Sequence, residues 1–336
     1  MRIRGRRAGG AGSPRRRWRL AGVGAGAVTM LLAPLAVRLA TGHLAPTDLP
    51  AGHPPPARPA TSPPQPRMET PQVAAVEPAP LDSPGFAPGA CMALGPLRGN
   101  RHRTVFLDAG HGGPDPGAVG STAAGGPVAE KDATLPVALR AARLLREAGY
   151  RVVLSRTQDG PVAHLPGGTD AGVLTVEQSH ADHIARVRCA NLAHAAVLIS
   201  IHFNAFDDPG EGGATTVYDP SRPFAADNQR LAVDLQRGIV AALAGHGWRV
   251  EDRGVDSDEG TGGPALSEQG ASYGHLIILG PPAAGYLAEP TGMPGALVEP
   301  LFVTNPGEAA IAEAPAGQQA IAEGIARAVQ EFDGGR

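Results

Sequence analysis

The sequence predicts an α/β fold, a single domain with a largely parallel (mixed) central sheet flanked by helices. Three observations carry this. Short apolar runs at 104–107, 151–155 and 196–201 have the length and content of buried strands. Between and beyond them lie stretches with helical spacing, as at Val137, Ala141, Leu144 and Leu145. Glycine-rich turns separate the two kinds of segment, the first being Asp108-Ala-Gly-His-Gly-Gly113.

Thr104 to Leu107 reads as the first strand of the core. A helix is expected over 133–148, closed by Gly149. Pro136 falls early in it and removes an N–H, so helical bonding is expected to begin near Asp132 or Thr134. Arg151 to Ser155 is the next strand, followed by a loop rich in Gly and Pro and a helix over 178–194. Ala196 to Ile201 is a strongly apolar strand, and Asn228 to Leu243 an amphipathic helix. His275–Leu279 and Gly295–Glu299 read as two further short strands, with a closing helix over 308–332.

Upstream of the domain the chain has two other characters. Residues 1–40 hold nine arginines and no acidic residue, and Leu20 to Val37 run without a charge. This is the pattern of a signal peptide, or of an N-terminal membrane anchor, and it places the working domain outside the cytoplasm. Residues 41–88 contain 14 of the 34 prolines and are expected to be a disordered tether. Residues 89–336 then form the catalytic domain. Past residue 40 the chain carries 20 basic and 32 acidic residues, a balance that repels phosphates and excludes a nucleic-acid partner. A monomer is expected, touching membrane only through its N-terminal segment.

Two cysteines, Cys91 and Cys189, fit an oxidising location, where an even number invites a disulfide; the alternative is two buried thiols. Cys91 is expected in a flexible entry segment before the first core strand, Cys189 on a helix. Neither reads as a nucleophile.

Chemistry is expected at the carboxyl ends of strands, where α/β sheets place their sites. His111 follows the first strand between two glycines that leave its ring room. His202 ends an apolar strand and opens on to Asn204 and a glycine-rich loop. Glu299 ends Ala-Leu-Val, where a buried carboxylate needs a metal or charge partner. Glu130 opens the first helix. Two histidines and a carboxylate are a common zinc set with an open position, and a further carboxylate can serve as general base. His180 and His183 have metal-ligand spacing on a helix, but read better as solvated side chains. The glycines of 110–126 lack the Lys and Ser/Thr of a phosphate loop.

These residues sit in four motifs. The stretch Val105-Phe-Leu-Asp-Ala-Gly-His-Gly-Gly-Pro-Asp-Pro-Gly117 resembles the opening motif of the type-3 family of zinc-dependent N-acetylmuramoyl-L-alanine amidases. Glu130-Lys-Asp132 is similar to that family's second ligand motif, and Leu154-Ser-Arg-Thr157 to its second strand. Arg186-Val-Arg-Cys-Ala-Asn191 with Ile199-Ser-Ile-His-Phe-Asn-Ala205 resembles the third-ligand region. Met293-Pro-Gly-Ala-Leu-Val-Glu-Pro-Leu-Phe-Val-Thr-Asn305 resembles the closing motif. The likeness spans about residues 103–332, in order.

The resemblance implies zinc on His111, Glu130 and His202, with Glu299 as catalytic acid/base. It implies peptidoglycan as substrate, cut at the amide between N-acetylmuramic acid and the L-alanine of the stem peptide, in the periplasm or cell wall. Asp108 or Asp115 is expected to orient His111. Two other readings stay open: a zinc peptidase acting within the stem peptide, and a wall-binding protein on the same fold without activity. The loops 158–174 and 253–274 are longer than a minimal domain needs.

Overall fold

The computed structural model describes residues 78–81, 85–165, 173–259 and 267–335. The N-terminal segments expected for export and tethering fall almost wholly outside these residues, as do parts of both long loops. All the described residues belong to one compact unit. Among the described residues no helix is long and apolar enough to cross a membrane.

The described elements are β1 (Ala79–Pro80), β2 (Ala90–Leu94), β3 (Thr104–Ala109), β4 (Val119–Ser121), β5 (Pro127–Ala129), α1 (Glu130–Glu147), β6 (Arg151–Arg156), α2 (Val176–Leu192), β7 (Val197–Ile201), β8 (Ala214–Tyr218), α3 (Ala225–Gly245), β9 (Asp252–Ser257), α4 (Glu268–Tyr273), β10 (Gly295–Glu299), α5 (Pro306–Glu313) and α6 (Pro315–Gly334). Eight strands form one sheet in the order β1-β2-β6-β3-β7-β10-β8-β9, while β4 and β5 make a separate hairpin. The four central strands, β6, β3, β7 and β10, run parallel. The flanks break that rule: β2 is antiparallel to β6, and β8 antiparallel to β10. The sheet is therefore mixed, as the sequence predicts.

Side-chain alternation along the strands builds a core on each face. Val105, Leu107 and Ala109 of β3 face a cluster completed by α1, α3, α5 and α6. Phe106 of the same strand faces the other side, with Val153, Leu198 and Leu297, where α2 and the segment Ile277–Leu279 cover the sheet. Every residue of β7 and β10 is buried, which is why both are mostly apolar, with Ser200 and Glu299 as the exceptions.

Several expectations need correction. His275–Leu279 is not a strand: the Leu276 carbonyl accepts from the Leu279 and Gly280 amides, so the chain turns while its apolar side chains still enter the core. The closing helix is two helices. Ala314 is extended (φ −71°, ψ 132°), as expected of a residue preceding a proline, here Pro315. The first helix starts at Glu130 and continues through Pro136. Strands β8 and β9 escape the sequence reading, the latter because Asp252–Ser257 is polar and partly exposed. Ordered pairing also begins before residue 89, since Ala79–Pro80 pairs with β2.

Cys91 lies inside β2, fully buried, and not in a flexible entry. It is joined to Cys189 of α2 by a disulfide with a sequence separation of 98. That bond ties the antiparallel flank of the sheet to the helix packed on its face.

Candidate metal centre

Strand register brings the four sequence-selected residues to one end of the sheet. Ala109 of β3 pairs with Ile201 of β7, and Ile201 with Val298 of β10. The next residues along the chain are the His111 turn, His202 and Glu299. Glu130 arrives from beyond the sheet as the first residue of α1, where the helix dipole favours an acid.

The turn around His111 is built for close approach. His111 itself has φ +58°, a left-handed conformation that non-glycine residues adopt rarely. A Cβ at Gly110 would lie 2.5 Å from the His202 ring, and one at Gly117 2.6 Å from Glu130 Oε2. These glycines are therefore needed because the imidazoles and the carboxylate fill the space.

Three donor atoms converge there. His111 Nε2 stands 3.1 Å from Glu130 Oε2, and His202 Nδ1 2.9 Å from Glu130 Oε1. The two ring nitrogens are 3.1 Å apart. Ligands held about 2.0–2.2 Å from a tetrahedral zinc stand roughly 3.3–3.6 Å apart, so a few tenths of an ångström of opening would admit the ion. The donors' other bonds are already committed. His111 Nδ1 bonds Asp115 Oδ2 at 2.8 Å, which fixes Nε2 as the free ring nitrogen. Glu130 accepts from the Ala118 amide at Oε2 and the Phe203 amide at Oε1, each at 2.9 Å. Lone pairs that face one another this closely call for a cation between them. The same donors also favour a proton, which a metal ion would have to displace. Burial opposes charge on His111, yet Glu130 and Asp115 override it and push its pKa up to about 10. Burial likewise opposes ionisation of Glu130, and the two histidines still hold its carboxyl well below the usual range.

Glu299 is 8% exposed, and its Oε2 is buried with no hydrogen-bond partner. Burial, and then the negative charge of Glu130, raise its carboxyl well above the ordinary carboxylate value. An orphaned buried carboxylate beside the donor cluster fits a centre that carries positive charge and reacting groups when loaded.

Two buried arginines support the turn, and sequence reasoning assigned neither a role. Arg186 of α2 donates to the carbonyls of Ala109 and His111 at 2.7 and 2.8 Å, and to Asp108 and Asp182. Arg156, at the end of β6, donates to the carbonyls of Ala109, Gly110 and Lys131. An arginine closing a buried strand must find such partners, which was the available signal. Asp115 is thus the residue that orients His111. Asp108 is bound instead to Arg186 and to Ser200 Oγ. His180 and His183 join no cluster of possible ligands among the described residues. Their rings bond the Tyr286 and Ser179 carbonyls.

A family model described as N-acetylmuramoyl-L-alanine amidase matches residues 105–331. The chain is 31% identical over 237 residues to the germination-specific N-acetylmuramoyl-L-alanine amidase of Bacillus subtilis (strain 168), covering 70% of this chain and 81% of that one. It is 30% identical over 206 residues to the N-acetylmuramoyl-L-alanine amidase LytC of the same organism, covering 61% of this chain and 30% of LytC. In fold it resembles the CwlD amidase of Clostridioides difficile, solved in complex with the GerS lipoprotein. There the TM-score is 0.52 at 24% identity, over 70% of this chain and 100% of that one.

Proposed function

The chain belongs to the N-acetylmuramoyl-L-alanine amidase family, and from that premise we propose that it is a zinc-dependent hydrolase of peptidoglycan. It cuts the amide between the lactyl group of N-acetylmuramic acid and L-alanine of the stem peptide. The observation that supports this best is the convergence of His111 Nε2, His202 Nδ1 and the Glu130 carboxylate within 2.9–3.1 Å, next to the unpartnered Glu299 carboxylate.

His111, Glu130 and His202 would hold the ion. Zinc there supplies Lewis acidity, polarising an amide carbonyl and easing the loss of a proton from water. Glu299 accepts that proton and returns it to the leaving amine nitrogen. Asp115 keeps the His111 tautomer fixed. Arg156 and Arg186 hold the turn that presents His111. The backbone amides of Ala118 and Phe203 keep the Glu130 carboxylate in place.

Export through residues 1–40 and reach through a proline-rich tether complete the reading, and the Cys91–Cys189 bond supports an oxidising compartment. The test is digestion of defined muropeptides with product masses recorded. Free lactyl-bearing glycan and intact stem peptide are expected, abolished by chelation and by Glu299→Gln. Cleavage within the stem, or full activity of Glu299→Gln, would sink the proposal.

A further inference from the structure

A second group of histidine and carboxylate donors lies at the other end of the sheet. Asp219 and Asp258 are the residues that follow β8 and β9. Because Tyr218 pairs with Ser257 in parallel register, the two aspartates emerge side by side, and the Asp258 amide donates to the Tyr218 carbonyl at 3.0 Å. Strand β8 runs against β10, with Thr215 opposite Glu299 and Val217 opposite Leu297. Asp219 therefore falls toward the Gly295 end of β10, about 13 Å from the Glu299 end at roughly 3.3 Å per residue.

His275, just past α4, completes the group. Its Nδ1 lies 3.1 Å from Asp219 Oδ2 and 3.2 Å from Asp258 Oδ1, and the three atoms are within 4.8 Å of one another. The remaining carboxylate oxygens are anchored. Asp219 Oδ1 accepts from both the amide and the hydroxyl of Ser221 at 2.6 Å, and Asp258 Oδ2 from the Leu276 amide at 3.1 Å. Each carboxylate thus turns one oxygen inward, as supported metal ligands do.

Both aspartates are 0% exposed. A single N–H from His275 cannot serve both inward oxygens well, and Asp219 Oδ2 makes no hydrogen bond. The hydrogen bonds of Arg222 go to the Leu279, Gly280 and Thr291 carbonyls and the Thr291 hydroxyl, not to either aspartate. Two buried carboxylates facing one nitrogen, with one oxygen orphaned, are costly without a cation between them. Of the three residues, His275 lines a cavity of about 450 Å³ together with Tyr273 and Tyr286.

We propose that Asp219, Asp258 and His275 form a second divalent-metal site, separate from the hydrolytic centre. One imidazole and two carboxylates suit an ion of the zinc or manganese class. Its role is structural. It clamps the ends of β8 and β9 to the turn carrying Ile277, Ile278 and Leu279 into the core on the α2 face.

The test is metal content of the full chain by mass spectrometry after equilibration with zinc and removal of unbound ion. Two ions per chain are expected in the unmodified protein, and one each in Asp258→Asn and in His202→Ala. One ion in the unmodified protein, still present in Asp258→Asn, overturns the proposal and leaves a triad that shares a proton. An unchanged count in His202→Ala with loss of one ion in Asp258→Asn supports the second site and counts against the hydrolytic one. Because Asp258 is buried, His275→Gln at a partly exposed position is measured alongside. A second readout is the thermal midpoint of His202→Ala with and without zinc. A rise that His275→Gln abolishes is expected, and no rise overturns the site.

Discussion

At the carboxyl ends of β3, β7 and β10, three donors and Glu299 arrive from four separated stretches of chain, beside a turn packed so tightly that two glycines are obligatory. At the carboxyl ends of β8 and β9, two donors are consecutive in register and a third comes from a nearby turn, where a Cβ at Gly280 would lie 2.7 Å from the Cβ of His275. Both clusters turn carboxylate oxygens towards an imidazole, and both tie other bonds of those carboxylates to backbone amides. They differ in what stands behind them. The first is braced by Arg156 and Arg186 and has an extra, unpartnered carboxylate in Glu299. The second has its anchors and the nearby charge of Arg222, which acts on both aspartates. In the proposed reading, a fourth acid–base group is what would separate a hydrolytic centre from one that would only hold an ion.

The largest break in this comparison is expected from the fourth group. Glu299→Gln should lower the amidase rate by about 10²–10⁴-fold, the range for loss of general acid–base catalysis. Asp258→Asn should leave that rate within a few-fold. Release of stem peptide from purified sacculi measures both, and comparable losses would erase the distinction between the two ends.

Removing the brace comes next. Arg186→Met leaves Asp108 and Asp182 buried without their partner, and should destabilise the domain by about 3–5 kcal/mol in chemical denaturation. The pH dependence should weaken. Burial works to raise the Asp108 pKa, but Arg186 and then His202 hold it well below the usual 3.8, so its ionised form favours folding above that value and the contribution fades as pH falls. With Arg186 gone its lowering is lost, the folded-state pKa moves up towards 3.8, and this contribution to stability above that pH should shrink.

A smaller effect should follow from Asp115→Asn, which loosens the His111 ring without touching the three donors. Zinc affinity should fall about 10–100-fold, read by competition with a chelator, while the Asp219 cluster keeps its ion. The smallest is Ser221→Ala. It removes one hydroxyl bond to Asp219 and should cost about 1 kcal/mol or less of stability, with amidase activity unchanged.

Much of this was written in the sequence. The central strands are apolar because both faces are covered, so composition alone marks β3, β6, β7 and β10. The His111, Glu130, His202 and Glu299 set was legible because motif residues stood at strand and helix ends. Where local signals were weak or shared, the reading failed. His275–Leu279 and a buried strand have the same apolar content, and only the hydrogen bonding of Leu276 shows a turn. Strand β9 looks like a loop until β8 supplies its partner.

The sequence by itself determined the class of fold, the strand ends that carry chemistry and the presence of a cysteine pair. It did so because periodicity, turn residues and residue type act locally along the chain. Tertiary structure alone decided that Cys91 reaches Cys189, that Asp115 and not Asp108 holds His111, and that two unremarkable aspartates share an imidazole. Those outcomes depend on strand order and register, which bring together residues separated by tens of positions and leave no local trace in either partner.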